Sequence, residues 1–154
     1  MSFAQILAEE VVRKGNGVCV GIDPRFESLP DALKPTPTSS TIAHSPAARA
    51  AAYSQFGKTI VDIVAPLVPV VKPQAAFFEQ LGPAGMIALA EVVQHAIQRG
   101  LIVILDGKRN DIGTTAEAYA EAYLGRGEKS GWGSDSLTVS PYLGHDSLEP
   151  FVIT

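Results

Sequence analysis

Cysteine is almost absent from this chain: Cys19 is the only one in 154 residues. A single thiol closes no internal disulfide and builds no cysteine-based metal cluster, and the apolar run around it predicts an inert core residue. Histidine is nearly as scarce. His44, His95 and His145 stand too far apart to give metal-ligand spacing. No apolar run approaches the ~20 residues that span a bilayer. The N-terminal MSFAQILAEEVVRKG has acids at its middle and no apolar signal core, so it predicts an amphipathic helix with Phe3, Ile6, Leu7 and Val11 on one face. Positive charge is not in excess. The net charge of −4 argues against a nucleic-acid partner and against a polybasic membrane patch. Absent too are the GxGxxG and GxxxxGK[ST] phosphate loops, the GxSxG elbow and the HExxH pair. A reducing, cytoplasmic setting fits a chain with so little cysteine.

What is present suffices for one core. Hydrophobic residues make up 46% and charged residues 18%, and the length suits one domain spanning residues 1–154. Four short apolar runs have strand character: Val18–Ile22, Val68–Val71, Leu101–Leu105 and Leu137–Val139. They are mostly continuous rather than alternating, which predicts burial on both faces, as in a parallel sheet. Helical spacing lies between them. Tyr53, Phe56, Ile60, Ile63 and Val64 keep it, as do Leu89, Val93, Ala96 and Ile97, with Gly100 placed for a helix end. A further helix is expected from Thr115 to Leu124, and Asp146 with Glu149 reads as a capping signal opening another. Strands alternating with helices predict βαβ units. Lys34 to Pro46, rich in Pro, Ser and Thr, and Gly125 to Ser136, with four glycines and the only tryptophan, read as loops.

Each predicted strand ends in a polar or charged group: Asp23, then Lys72, then Asp106 and Lys108, then Ser140. The carboxyl ends of parallel strands are where βα-barrels and open α/β sheets place their active sites. One charged strand end is ordinary solvation; four in succession point to a site. Asp106 and Lys108 are two apart, so an extended backbone turns both to one face. With Lys72 from the neighbouring strand and Asp111 just beyond, they form an alternating set of two lysines and two carboxylates. Such a set stays ionised in a partly dry pocket and puts a proton donor beside a fixed negative charge. The lysines between Asp23 and Asp106 argue against a divalent cation there. Lys72, flanked by carboxylates, stays protonated and is a poor Schiff-base nucleophile. The bland alternative is a surface ion-pair cluster of little consequence.

The same residues carry a family resemblance. Asp106-x-Lys108-x-x-Asp111-Ile112-x-x-Thr115 resembles the signature of orotidine 5'-monophosphate decarboxylases. Gly21-Ile22-Asp23-Pro24-Arg25, Val71-Lys72-Pro73-Gln74 with Ala76-Phe77-Phe78-Glu79, and Thr138-Val139-Ser140-Pro141-Tyr142-Leu143-Gly144 resemble that family's other strand ends, the last in its longer bacterial branch. The Asp-x-Lys-x-x-Asp pattern alone is shared with related sugar-phosphate lyases and decarboxylases; the four motifs in order are far more specific.

The resemblance implies an α/β fold, the N-terminal half of a (β/α)8 TIM barrel, with about four parallel strands and helices outside. It implies a cofactor-independent carboxy-lyase of pyrimidine biosynthesis, forming UMP and CO2 from orotidine 5'-monophosphate without metal, flavin or pyridoxal. Carried over by position, Asp23 binds a ribose hydroxyl, and Lys72 contacts the ribose and anchors the charges. Asp106 sits against the substrate carboxylate, and Lys108 stabilises the carbanion and protonates the ring. Asp111, Ile112 and Thr115 reach into the partner's site across a homodimer with shared active sites. Ser140 departs from the pattern: Asn is expected there, and Ser keeps a donor and an acceptor in a smaller group.

A full barrel takes ~250 residues, so the family's phosphate grip, supplied by later strands, is expected to lie outside this chain. Remote phosphate binding drives chemistry at the other end of such substrates, so little or no turnover is expected of the 154 residues alone. Two rival readings remain: a non-catalytic half-barrel that self-associates through open sheet edges, and a Mg2+-dependent sugar-phosphate lyase of the same superfamily.

Overall fold

The computed structural model describes residues 2–35, 45–125 and 130–154. The loop readings at Lys34–Pro46 and Gly125–Ser136 therefore fall partly, and His44 wholly, outside the described residues. Helix α1 (Phe3–Lys14) opens with a capping box: Ser2 N donates to Gln5 Oε1 at 2.8 Å while Gln5 N donates to Ser2 Oγ at 3.4 Å. Phe3, Ile6, Leu7 and Val11 share its half-buried face, as the spacing predicts. Strand β1 (Cys19–Ile22) follows, then two short 3-10 turns. Helix α2 (Pro46–Val64) begins where Ser45 Oγ accepts from Ala48 N, with proline in the first turn, where a missing N–H costs nothing. Then come β2 (Val70–Pro73), the single-turn helix α3 (Ala75–Glu79), α4 (Gly82–Gln98), β3 (Ile102–Arg109), α5 (Gly113–Leu124), β4 (Ser136–Val139), a 3-10 turn at His145–Ser147 and the short α6 (Glu149–Ile153).

The strands lie in chain order, β1-β2-β3-β4, and every neighbouring pair is parallel. This is half of a βα-barrel. Period two divides the sheet into two faces. Val71, Val103, Leu105 and Leu137 join the hydrophobic cluster with Tyr53 and Val61 of α2 and with Leu89, Val92, Val93 and Ala96 of α4. Each such aliphatic side chain, taken fully out of water, contributes roughly 2 kcal/mol. Tyr53 and Phe78 meet edge to face, ring centroids 5.9 Å apart. The alternate residues, Lys72 on β2, Asp106 on β3 and Thr138 on β4, face the other way. The sheet is thus apolar towards its helices and polar, near its carboxyl end, towards the barrel axis.

Several expectations are corrected. Cys19 is exposed rather than inert core, because it shares the axial side of β1 with Gly21, and among the described residues β1 is an edge strand. Ile63 is exposed: the buried stripe of α2 runs through Ala50, Tyr53, Gly57 and Val61, and Ile63 lies off it. The capping signal at Asp146 and Glu149 does not form. Gly144, at φ 116°, starts the 3-10 turn, Asp146 falls inside that turn, and Leu148 occupies the cap position without a side-chain bond. Strand β3 runs past the expected apolar run to Arg109, with Asp106 and Lys108 on it as their spacing predicts. Helix α5 starts at Gly113, two residues ahead of the expected Thr115.

Gly85 marks the tightest helix contact. A Cβ there would fall 1.8 Å from the carbonyl oxygen of Phe78, which belongs to the backbone and cannot swing aside. Gly85→Ala is expected to destabilise the fold by about 2 kcal/mol despite alanine's better helix propensity. Urea unfolding measures it; an unchanged midpoint would show that α3 and α4 have room to part.

Candidate active site

The carboxylate of Asp106 is the hub of the polar face. It is nearly buried, with 8% of its side chain exposed. Its Oδ2 accepts from Lys72 Nζ at 2.6 Å and from Gln74 Nε2 at 2.9 Å. Its Oδ1 accepts from Lys108 Nζ at 2.5 Å and from Thr138 Oγ1 at 2.9 Å. Burial alone would raise the pKa of this carboxyl group. The bonds from Lys108, Lys72 and Thr138, with the charge of Lys72, outweigh burial and hold it at about 2. Lys72 is displaced the other way. The bond from Asp106 raises its pKa against the effect of burial, and the charges of Asp106, Asp23 and Cys19 add to the rise. At neutral pH the fold therefore fixes one anion between two ammonium groups, of which Lys72 is 33% and Lys108 63% exposed.

The local backbone explains this placement. Between β3 and β4 the register jumps from Leu105↔Leu137 to Arg109↔Val139, so three residues of β3 face one of β4. The extra residues form a bulge. Within it Lys108 takes φ 47°, the left-handed region that a side chain rarely adopts, and the only such non-glycine among the described residues. Thr138 fills the gap: its Oγ1 accepts from Lys108 N at 3.0 Å while donating to Asp106. Gln74 works from the β2 side, its Oε1 accepting from Ala76 N at the start of α3 while its Nε2 reaches Asp106.

The remaining candidate residues surround this centre. Asp23 is exposed at the end of β1, on the side of Lys72. Ser140, half-buried just past β4, donates its N–H to Arg109 O at 3.0 Å. Asp111 does not join the alternating charge set expected from the spacing. The chain turns after Arg109, and the Asp111 carboxylate accepts from Ile112 N at 2.8 Å, with no ion pair among the described residues. Ile112 and Thr115 are exposed on the same turn into α5. Gln74 and Thr138 are the residues that strand-end charge alone missed, although both stand in the quoted motifs. The signal available was period two, which puts Gln74 beyond Lys72, and Thr138 before Ser140, on the same face. Among the described residues no three His, Cys, Asp or Glu side chains converge as a metal site requires.

Comparison with known proteins then decides the family. Residues 17–153 match the model of the orotidine 5'-phosphate decarboxylase / HUMPS family. The chain belongs to that family. An orotidine 5'-phosphate decarboxylase of Rhodopirellula baltica is 62% identical over 154 residues, covering 99% of this chain and 50% of the relative. One from Deinococcus radiodurans is 41% identical over 151 residues, covering 98% and 47%. The solved OMP decarboxylase of Leishmania donovani superposes with a TM-score of 0.73 at 34% identity, over 99% of this chain and 50% of that one. The chain thus spans about half the length of the decarboxylases it matches, and its four parallel strands correspond to half of their barrel.

Proposed function

We propose that this chain carries the charge-bearing half of an orotidine 5'-monophosphate decarboxylase site, forming UMP and CO2. The observation that carries the reading is the Lys72–Asp106–Lys108 arrangement: an anion held ionised at the carboxyl end of a parallel sheet, with a protonated amine beside it. In the reaction the ring carbon–carboxylate bond breaks and its electron pair stays on the ring carbon. The Lys108 ammonium offsets that developing charge and then transfers a proton to the same carbon. Asp106 meets the substrate carboxylate in this reading, and its bond to Lys108 supports the pairing. Lys72 and Asp23 contact ribose hydroxyls, and Ser140 borders the ring. Preplaced charge of this kind is usually the largest catalytic term where water is excluded.

Asp111, Ile112 and Thr115 are assigned to a partner subunit's site in a homodimer. Their exposure and their separation from the charge centre of their own chain support this. The reading takes residues 1–154 as one half-barrel domain, acts without a cofactor, and places the protein in the cytoplasm. No described helix is long and apolar enough to cross a membrane. The relatives at 62% and 41% identity favour the decarboxylase over the magnesium-dependent lyase.

The test joins residues 1–154 to the remaining half of the Rhodopirellula baltica relative and follows the fall in orotidine absorbance. Turnover without added metal is expected from the joined protein and little from the 154 residues alone. A folded joined protein that releases no CO2, or one that requires Mg2+, would overturn the proposal.

A further inference from the structure

On the helix side of β3, directly behind the charged centre, lies a second polar cluster to which the proposed chemistry assigns no role. Its hub is Arg109, whose side chain is only 19% exposed. The guanidinium donates through Nη1 to Gly107 O at 2.6 Å, through Nε and Nη2 to the Tyr123 hydroxyl at 3.3 and 3.2 Å, and through Nη2 to Glu79 Oε1. It lies 5.4 Å from the ring centroid of Tyr123 and 6.0 Å from that of Tyr119. Tyr123 is itself stacked on Trp132, centroids 5.4 Å apart, so the guanidinium rests on a rigid aromatic floor.

The cluster grips both sides of Lys108. Arg109 follows that residue in the chain, and its side chain folds back to the carbonyl of the residue before it. The peptide units flanking Lys108 are thereby tied to α3 through Glu79 and to α5 through Tyr123. Space at Gly107 is limited chiefly by β4: a Cβ there would stand 3.2 Å from Leu137 Cδ1 and in ordinary contact, 3.7 Å, with Arg109 Cγ. From the axial face Thr138 holds the same bulge through Lys108 N. A left-handed backbone at a lysine persists only where its surroundings over-determine it, and here it is held from both sides of the sheet.

We propose that Arg109 is a positioning residue, which maintains the strained backbone of Lys108 from behind the sheet and so keeps the Lys108 amine on Asp106. Its importance for turnover rests on the reading of Lys108 as the reacting group; the positioning itself does not. An arginine that merely stabilised the fold would loosen β3 and its helices together. A positioning arginine, when removed, releases Lys108 selectively.

The experiment uses the 154-residue chain and no substrate. Brief labelling with acetic anhydride, read by peptide mass spectrometry, compares Lys108 with Lys72 and Lys58, and the Lys108 13Cα and 13Cβ shifts report its φ. In Arg109→Met, labelling at Lys108 is expected to rise about tenfold, the effect of losing one charge-assisted restraint. Lys72 and Lys58 should keep their native rates, and the Lys108 shifts should move towards ordinary extended values. Glu79→Gln, which removes one anchor and leaves the arginine, should move the same two signals by less, and it decides the matter if Arg109→Met does not fold. Unchanged Lys108 signals in a folded variant, or equal acceleration at all three lysines, would overturn the proposal. Because no turnover is measured, failure here is distinct from failure of the joined protein to decarboxylate.

Discussion

Lys108→Ala, introduced into the joined full-length protein, is expected to lower kcat by about 10⁴-fold, the upper range for loss of a general acid. The amine has two tasks in the proposed reaction, and alanine performs neither. It offsets the charge left on the ring carbon and delivers the proton that quenches it. Among the described residues the only other amine bonded to Asp106 is Lys72. Lys72 bonds the opposite oxygen of Asp106, and in the proposed reading it contacts the ribose rather than the ring. KM should rise far less than kcat falls, because the lost interaction is realised mainly as charge develops. Absorbance assays at saturating substrate check the ratio. Retention of more than a tenth of the activity would mean that water or Lys72 supplies the proton, and the assignment of Lys108 would fall.

Asp106→Asn should produce the largest single loss of stability at the site, about 3 kcal/mol at neutral pH. The amide keeps the shape but leaves two ammonium groups facing each other without their anion. The pH dependence gives a sharper check. The Asp106 carboxyl titrates at about 2 in the folded chain against an ordinary 3.8. A depressed carboxyl pKa adds stability that is fully present above the unfolded value and is lost as pH falls through the folded one. The native chain should therefore hold about 2 kcal/mol more than the variant from this source above roughly pH 5, and lose it between about pH 4 and pH 2. Urea unfolding of both proteins across that range measures the difference. A gap that stays constant down to pH 2 would show that the fold does not hold this carboxylate ionised.

Much of this site can be read from single residues and their spacing. Period two suggests Asp106 and Lys108 on one face, although in the fold a bulge at Lys108 rather than extended backbone brings its amine to Asp106. The continuous apolar run before them places that face at the end of a buried parallel strand. Lys72 then follows from strand order. What could not be read depends on partners distant in sequence. The bulge in β3 accompanies a jump in its register to β4; Gly107 inside Leu105–Arg109 hints at a bulge, but the size of the jump is set by β4. Thr138 looks like an ordinary strand residue until the bulge exposes the Lys108 N–H to it. Cys19 was misplaced for a related reason. Its apolar neighbours suggest burial, but burial on the axial side of β1 depends on which strands flank it. Asp111 shows a local competitor winning: an N–H one residue away captures a carboxylate whose spacing suggested an ion pair.

One consequence follows from where the hub sits in the strand order. Lys72, Gln74, Asp106, Lys108 and Thr138 all come from β2, β3 and β4 or the turns leaving them, and their mutual bonds close within this stretch. In the proposed reading, the proton donor and its counter-ion therefore form one cassette whose bonds close among β2, β3 and β4. Recombination that exchanges the other half of a barrel could then alter which phosphate or ring is held while passing the proton donor and its counter-ion on unchanged. A sequence family built this way can diversify its ligands at one end without retuning its chemistry at the other.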